Sequence, residues 1–368
     1  MLPRNYTHFV FLFVLIVLFG VLNVVPATAA TQKLTKKSGK SSQITAKTTH
    51  AKPARALASR HSRATYRLVK RGGRAIRLAL APRVIIPARP SIGKTIGLHA
   101  VDDPLDLRSS VAVVVDSTRG EVVFEKNPDA VLPIASITKL MTAMVVLDRQ
   151  LPMAEMIEVT EADLDTEKHS RSKLRPGTRL SRGEMMQLAL MASENRAASA
   201  LARNYPGAMP AFIAAMNQKA QALTMRSTTF SDPTGLSSNN VSSGQDLVKL
   251  VRAASDYPTI RQYSTASDLT VDTGLRVLSF RNTNRLLESS DWQILVSKTG
   301  YISEAGNCLV MNVKIEGRPM IFVLLDAEGR ASRFGDAQRL RHWLESAAPI
   351  RVRNPAPRQP APIQARAY

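Results

Sequence analysis

Three Ser-x-x-Lys spacings occur in the chain: Ser91-Ile-Gly-Lys94, Ser136-Ile-Thr-Lys139 and Ser170-Arg-Ser-Lys173. A serine hydroxyl is a weak nucleophile until a neighbouring base takes its proton. A lysine can be that base when burial and positive neighbours keep it neutral. On a helix this spacing sets the two side chains one turn apart on one face. The spacing alone says little, so context must separate the three. Ser91 lies in a basic, Pro- and Gly-containing stretch where nothing would desolvate Lys94, and Ser170 sits in a run crowded with charges. Ser136 instead opens an apolar helix through Leu140, Met141, Met144, Val145, Val146 and Leu147. Such a helix can bury Lys139, and its N-terminal N–H groups and dipole suit an oxyanion near Ser136.

Other constellations are absent. The histidines are His8, His50, His61, His99, His169 and His342, with no HExxH and no closely spaced pair. A zinc hydrolase is therefore not expected, nor any metal or other cofactor. No GxSxG, GxxxxGK[ST] or GxGxxG occurs. The lone Cys308 lies in an apolar, strand-like run and reads as a buried thiol rather than a nucleophile. Two elements remain. Ser193-Glu194-Asn195 falls between two helical stretches, and Lys298-Thr299-Gly300, the only KTG, closes an apolar run from Trp292. Taken singly, Ser193 and Asn195 read as helix caps and Lys298 as a surface strand lysine. Ser237-x-Asn239 and Ser238-x-Asn240 share the loose Ser-x-Asn pattern but sit in a polar loop after Pro233-Thr234-Gly235.

The elements that must position these residues follow from periodicity. Ser109–Lys126 gives two β-rich runs around a turn. Helical spacing follows over Ser136–Arg149, from the Ser181-x-x-Glu184 capping box to Leu190, over Arg196–Arg203 and Ala208–Leu223, and from Ser243 to about Asp256, before Pro258. Asp268–Phe280 has a hairpin pattern. Strands are expected at Trp292–Thr299, Gly306–Ile315 and Pro319–Asp326. Ser332–Ser346 closes the body as a helix with Phe334, Leu340, Trp343 and Leu344 on its apolar face. The pattern is α+β: an antiparallel sheet with edges from both ends of the body and a helical insertion between them.

Charge divides the chain. The 368 residues carry 50 Lys and Arg against 29 Asp and Glu, and 44% are apolar. Residues 1–101 hold 18 of the basic residues and no acid, and 351–368 hold four Arg and no acid. The other 28 basic residues and all 29 acids lie in 102–350, a near-neutral body long enough for one sizeable core. Residues 9–25 are uncharged and Ala27-x-Ala29 follows, so 1–29 reads as a signal peptide, with an uncleaved anchor as the alternative. Residues 30–101 read as a basic, largely disordered segment, and 351–368 as a disordered tail. The 31–95 stretch is either a solvated tether or a polybasic strap for anionic envelope polymers or lipid headgroups. Nucleic acid is not expected, because that stretch offers only Tyr66 for stacking.

Ser136-x-x-Lys139, Ser193-x-Asn195 and Lys298-Thr299-Gly300 together resemble the active-site set of penicillin-binding proteins and serine β-lactamases. The stretches 133–148, 190–207, 230–242, 280–287 and 297–312 resemble low-molecular-mass D-alanyl-D-alanine endopeptidases of the penicillin-binding protein 7 type. The resemblance covers about 105–346. It implies a β-lactamase/transpeptidase-like fold, a five-stranded antiparallel sheet flanked by helices with an inserted helical subdomain, over a peptidase domain placed at 102–350. It also implies periplasmic cleavage of D-alanyl–diaminopimelate cross-links in peptidoglycan, without a metal. Peptidoglycan stems would be the substrates and β-lactams covalent inhibitors. Ser136 would be the nucleophile, Lys139 the general base and Ser193, aided by Lys298, the proton relay to the leaving amine. Asn195 would hold Lys139 and substrate backbone. Lys298 and Thr299 would bind the substrate carboxylate, Gly300 would admit its backbone, and the N–H groups of Ser136 and Tyr301 would form the oxyanion hole.

Two departures bear on this. Glu194 stands where several relatives carry Gly or Asp. Between Asn195 and Lys298 the only Glu is Glu288, in a context unlike the deacylating loop of class A β-lactamases, so a penicillin should acylate Ser136 and stay. A D-alanyl-D-alanine carboxypeptidase would use every one of these residues and remains the alternative, with a wall-binding scaffold as a third reading.

Overall fold

In the computed structural model, which describes residues 66–71, 74–79 and 90–346, a five-stranded antiparallel sheet forms the centre of the fold. Its strands are β1 (Ser109–Asp116), β2 (Val122–Lys126), β3 (Gln293–Ile302), β4 (Gly306–Ile315) and β5 (Arg318–Ala327). The spatial order is β3-β4-β5-β1-β2, so the edges come from opposite ends of the body, as the sequence pattern implies. The β1 strand is buried throughout because both sheet faces are covered. Val111, Val113 and Val115 point to one core, and Ala112 and Val114 to the other, following the two-residue pleat.

The smaller core lies under the closing helix. Leu340 and Leu344 of that helix pack with Val114, Met311, Phe322 and Leu324, and Trp343 meets Phe124 edge-on at 5.9 Å between centroids. The larger core joins the opposite face to the helices inserted between β2 and β3. These are α1 (Thr138–Asp148), α2 (Arg182–Met191), α3 (Asn195–Arg203), α4 (Ala208–Ala222), α5 (Gly244–Ser255) and α6 (Pro258–Thr265). The closing helix, α7, spans Ser332–Ser346. Buried residues encircle α1, including Thr138, Lys139 and Thr142, so it is the central helix of the insertion.

Local chemistry accounts for most boundaries. The Ser181 and Glu184 capping box opens α2, and Ser243 caps α5 through the Asp246 N–H. Pro258 stops α5 but also starts α6 at its first turn, where a missing N–H costs nothing. That second role was not anticipated. The β3 strand also runs on through Lys298-Thr299-Gly300 to Ile302 rather than ending at the tripeptide.

The fold reaches further toward the N-terminus than charge suggests. Residues 90–101, assigned to the basic segment, lie against the body. The Ile92 N–H donates to the Glu304 carbonyl, Lys94 pairs with Glu328 and His99 meets Asp326 at 3.1 Å. Within the segment expected to be largely disordered, Tyr66–Arg71 and Arg74–Ala79 pair as an antiparallel hairpin. Gly72-Gly73 between two runs containing β-branched residues is a hairpin signal that composition obscured. The proposed signal peptide, most of the basic segment and the tail lie outside the described residues.

Candidate active site

Ser136 sits in a single helical turn, Ala135–Ile137, that leads into α1. Ala135 holds a left-handed φ of 49°, a conformation that a residue with a Cβ adopts only when its surroundings enforce it. Two glycines press on this elbow. A Cβ on Gly235 would lie 1.9 Å from the Ala135 carbonyl oxygen, and one on Gly300 would lie 3.0 Å from that of Ile134. The Ser136 amide therefore faces β3 at Gly300, one residue before Tyr301.

One turn along, Lys139 is fully buried. Its Nζ lies 2.7 Å from Ser136 Oγ, 2.8 Å from Asn195 Oδ1 and 2.6 Å from the Thr234 carbonyl. Burial pulls its pKa down to about 7, against the opposing pull of the Asp232 and Glu194 carboxylates. A neutral amine has two N–H bonds and one lone pair. The two carbonyl oxygens can only accept, so they take the N–H bonds, and the lone pair is left facing the Ser136 hydroxyl. That arrangement can remove a proton from Ser136.

The second lysine comes from the sheet. Lys298 is buried on β3, and its Nζ donates to Ser193 Oγ at 2.9 Å and to the Thr299 carbonyl at 2.9 Å. Burial, then the charges of Lys139 and Arg333, hold its pKa well below the ordinary lysine value. Ser193 has a left-handed φ of 59° in the turn between α2 and α3. Asn195 begins α3 and donates through Nδ2 to Ser170 Oγ at 2.9 Å. Ser136, Ser193, Asn195, Thr299, Gly300 and Tyr301 line one cleft of about 570 Å³, with Lys139 and Lys298 buried directly behind their partners. No Asp or Glu is among the residues lining it, and Glu288 is exposed elsewhere.

Several residues in or behind the cleft escaped the sequence reading. Ser170 belongs to a Ser-x-x-Lys run set aside for its charges, yet its hydroxyl orients Asn195. Asp232 accepts from the N–H groups of Thr234, Gly235 and Ser237, which aims the Thr234 carbonyl at Lys139. Thr299 donates to Thr283 at 2.7 Å, and Arg333 on α7 reaches the cleft with Nη1 bonded to Asn307 and no partner for Nε. The competing motifs have other uses. Ser91 caps a short turn, Asn239 is exposed, and buried Asn240 ties the 230–242 loop to Thr138. Cys308 is buried, and burial pushes its thiol up to about 12, away from nucleophilic chemistry.

Comparison with known proteins agrees with this geometry. A profile of the D-alanyl-D-alanine carboxypeptidase family (peptidase S11) matches residues 98–329. A D-alanyl-D-alanine endopeptidase of Pseudomonas aeruginosa is 48% identical over 245 residues, covering 66% of this chain and 78% of that one. Its counterpart of the same name in Escherichia coli is 44% identical over 271 residues, covering 73% and 87%. Among solved structures, the Streptomyces K15 DD-transpeptidase superposes with a TM-score of 0.62 at 26% identity, covering 66% of this chain and 98% of that one. Penicillin-binding protein D2 of Listeria monocytogenes, in its cefotaxime-bound form, gives 0.59 at 29% identity with the same coverage. The chain has the penicillin-binding-protein fold and belongs to the D-alanyl-D-alanine carboxypeptidase family of serine peptidases.

Proposed function

We propose that this chain is a penicillin-binding serine DD-endopeptidase that hydrolyses D-alanyl–diaminopimelate cross-links in peptidoglycan through an acyl-enzyme on Ser136. The observation that carries the reading is the 2.7 Å contact between Ser136 and a buried lysine with its lone pair free for that serine. Ser136 Oγ attacks the D-alanyl carbonyl as its proton passes to Lys139 Nζ. The N–H groups of Ser136 and Tyr301 face the developing oxyanion. Ser193, bonded to Lys298, passes its hydroxyl proton to the leaving nitrogen as the C–N bond breaks, and recovers a proton from the Lys139 ammonium, which returns to the neutral amine. Water then adds to the ester with Lys139 again taking the proton, which returns the serine and frees the carboxylate. Lys298, Thr299 and Arg333 draw in the carboxylate on the carbon next to the scissile nitrogen. Asn195 holds Lys139 and the substrate backbone, and Gly300 leaves room for that backbone beside the edge strand.

The preference for cross-links rests on the relatives at 48% and 44% identity, both named endopeptidases. The family description favours the second reading, a carboxypeptidase that releases terminal D-alanine. Full-length protein given a cross-linked tetrapeptide dimer and a pentapeptide monomer, with products read by mass, separates the two. Dimer split with the pentapeptide intact supports the endopeptidase; loss of one D-alanine with the dimer intact supports the carboxypeptidase.

Action on the wall requires export, and we assign the uncharged run 9–25 to that role. Among the described residues no helix is long and apolar enough to cross a membrane. The basic 31–95 segment is assigned to anionic envelope polymers on its charge. Pull-down on sacculi should lose its salt dependence when 31–95 is deleted, and unchanged salt dependence would reduce the segment to a tether.

A further inference from the structure

One ion pair at the lip of the cleft has no part in the chemistry above. Lys168 lines the cleft with Ser170, Asn195 and Ser303, and its Nζ lies 2.5 Å from Glu304 Oε1. Lys168 stands in the loop before α2, whereas Glu304 stands in the turn between β3 and β4. The pair therefore bridges the helical insertion and the sheet where the catalytic strand ends. The two side chains are 30% and 32% exposed.

Both ends are fixed in advance. Asp165 accepts from the N–H groups of Glu167, Lys168 and Ser170, which sets the Lys168 loop. Glu304 Oε2 accepts from Ser303 Oγ, and the Glu304 carbonyl accepts the Ile92 N–H. A partly exposed ion pair contributes little to stability, so exchanging its partners is cheap.

The substrate's path leads to this pair. Because β3 is an edge strand, an extended peptide added beside Gly300 runs past Tyr301 and Ile302 toward Ser303 and Glu304. In the donor stem, the residue preceding the attacked D-alanine is a diamino acid. Its side chain ends in a free amino-acid centre, with ammonium and carboxylate on one carbon. A cation and an anion in contact at the lip match that centre in sign and in spacing.

We propose that Lys168 and Glu304 form a zwitterion-binding subsite, in which their ion pair opens and re-forms on the carboxylate and ammonium of the donor diamino-acid side chain. The inference rests on the peptidase reading above. One ion pair becomes two, so no charge is stranded. Lys168 and Glu304 would then determine which stem peptides are cut, without touching the reacting atoms.

The test uses the full-length protein and three synthetic dimers that differ only in the donor diamino acid: diaminopimelate, its side-chain carboxamide, and lysine. Values of kcat/KM are divided by each variant's benzylpenicillin acylation rate, so that general damage around Ser136 cancels. The wild type should prefer the diaminopimelate dimer roughly tenfold over the other two, which lack the carboxylate. Lys168→Ala should remove that preference by slowing only the diaminopimelate dimer. Glu304→Ala should slow all three, because each keeps the ammonium. Equal wild-type rates on the three dimers, or an equal loss on all three in Lys168→Ala, would overturn the subsite and leave the pair a clasp between lobes. If benzylpenicillin acylates the wild type but no dimer is cut, the endopeptidase reading fails, and this inference fails with it.

Discussion

Lys139 Nζ touches three oxygens, and only one of them, the Ser136 hydroxyl at 2.7 Å, has a proton to give. The direction of proton transfer follows from that contact. Asn195 and Thr234 hold the amine by its hydrogens, and burial makes the neutral form accessible near neutral pH.

The first consequence is a pH profile. The neutral amine is the active form, so activity is lost as pH falls through the Lys139 pKa of about 7. The second-order rate of benzylpenicillin acylation should rise about tenfold per pH unit below that value and level off above it. Lys139→Arg keeps the charge at all accessible pH and should lower the rate by roughly 10²–10⁴. A flat profile through neutrality, in protein that stays folded, would contradict the lysine base.

The second prediction concerns the elbow. Gly235 has φ +83°, and its missing Cβ would overlap the Ala135 carbonyl beside the nucleophile. Gly235→Ala should cost more than the roughly 1–2 kcal/mol of left-handed backbone strain and should slow acylation more than tenfold. Gly317→Ala is the control. That glycine has φ +79° with nothing within 4 Å, in the turn between β4 and β5, so it carries the strain without the overlap. Thermal melts and acylation rates of the two variants check this; equal loss of acylation in both would remove the role of Gly235 packing.

The third concerns Arg333, which faces the cleft beside the Lys298 strand with Nη1 3.4 Å from the Gly300 carbonyl. Arg333→Leu should raise KM and lower kcat/KM at least tenfold for substrates with a carboxylate next to the scissile nitrogen. A substrate amidated at that carboxylate should lose far less. Equal losses on the two would assign Arg333 to packing alone.

Much of this was legible in the sequence, for physical reasons. The β1, β4 and β5 strands are buried on both faces, so they read as continuous apolar runs of strand length. The Ser181 and Glu184 box marks α2, and the apolar surroundings of Lys139 distinguish its motif from those at Ser91 and Ser170. The misses are contacts between residues far apart in the chain. Arg333 lies on a helix whose apolar face dominated its reading, although the guanidinium returns to the cleft 197 positions after Ser136. Ser170 bears on the catalytic lysine through Asn195, and the Thr234 carbonyl carries no side-chain signal at all. Charge placed the domain start at Asp102, because Lys94 and His99 look basic until Glu328 and Asp326 are seen to receive them.

The central claim is that Ser136 carries the acyl group. The most direct measurement is intact mass and peptide mapping of full-length protein after exposure to benzylpenicillin, for the wild type and for Ser136→Ala. One penicilloyl group on the peptide containing Ser136 is expected in the wild type. It persists because the ring nitrogen stays tethered to the acyl group and blocks the water that hydrolyses the peptide acyl-enzyme, with no carboxylate lining the cleft to offer a second route. None is expected in the variant, which should also leave the cross-linked dimer uncut. Covalent labelling that survives in Ser136→Ala, or that maps to another serine, would contradict the account.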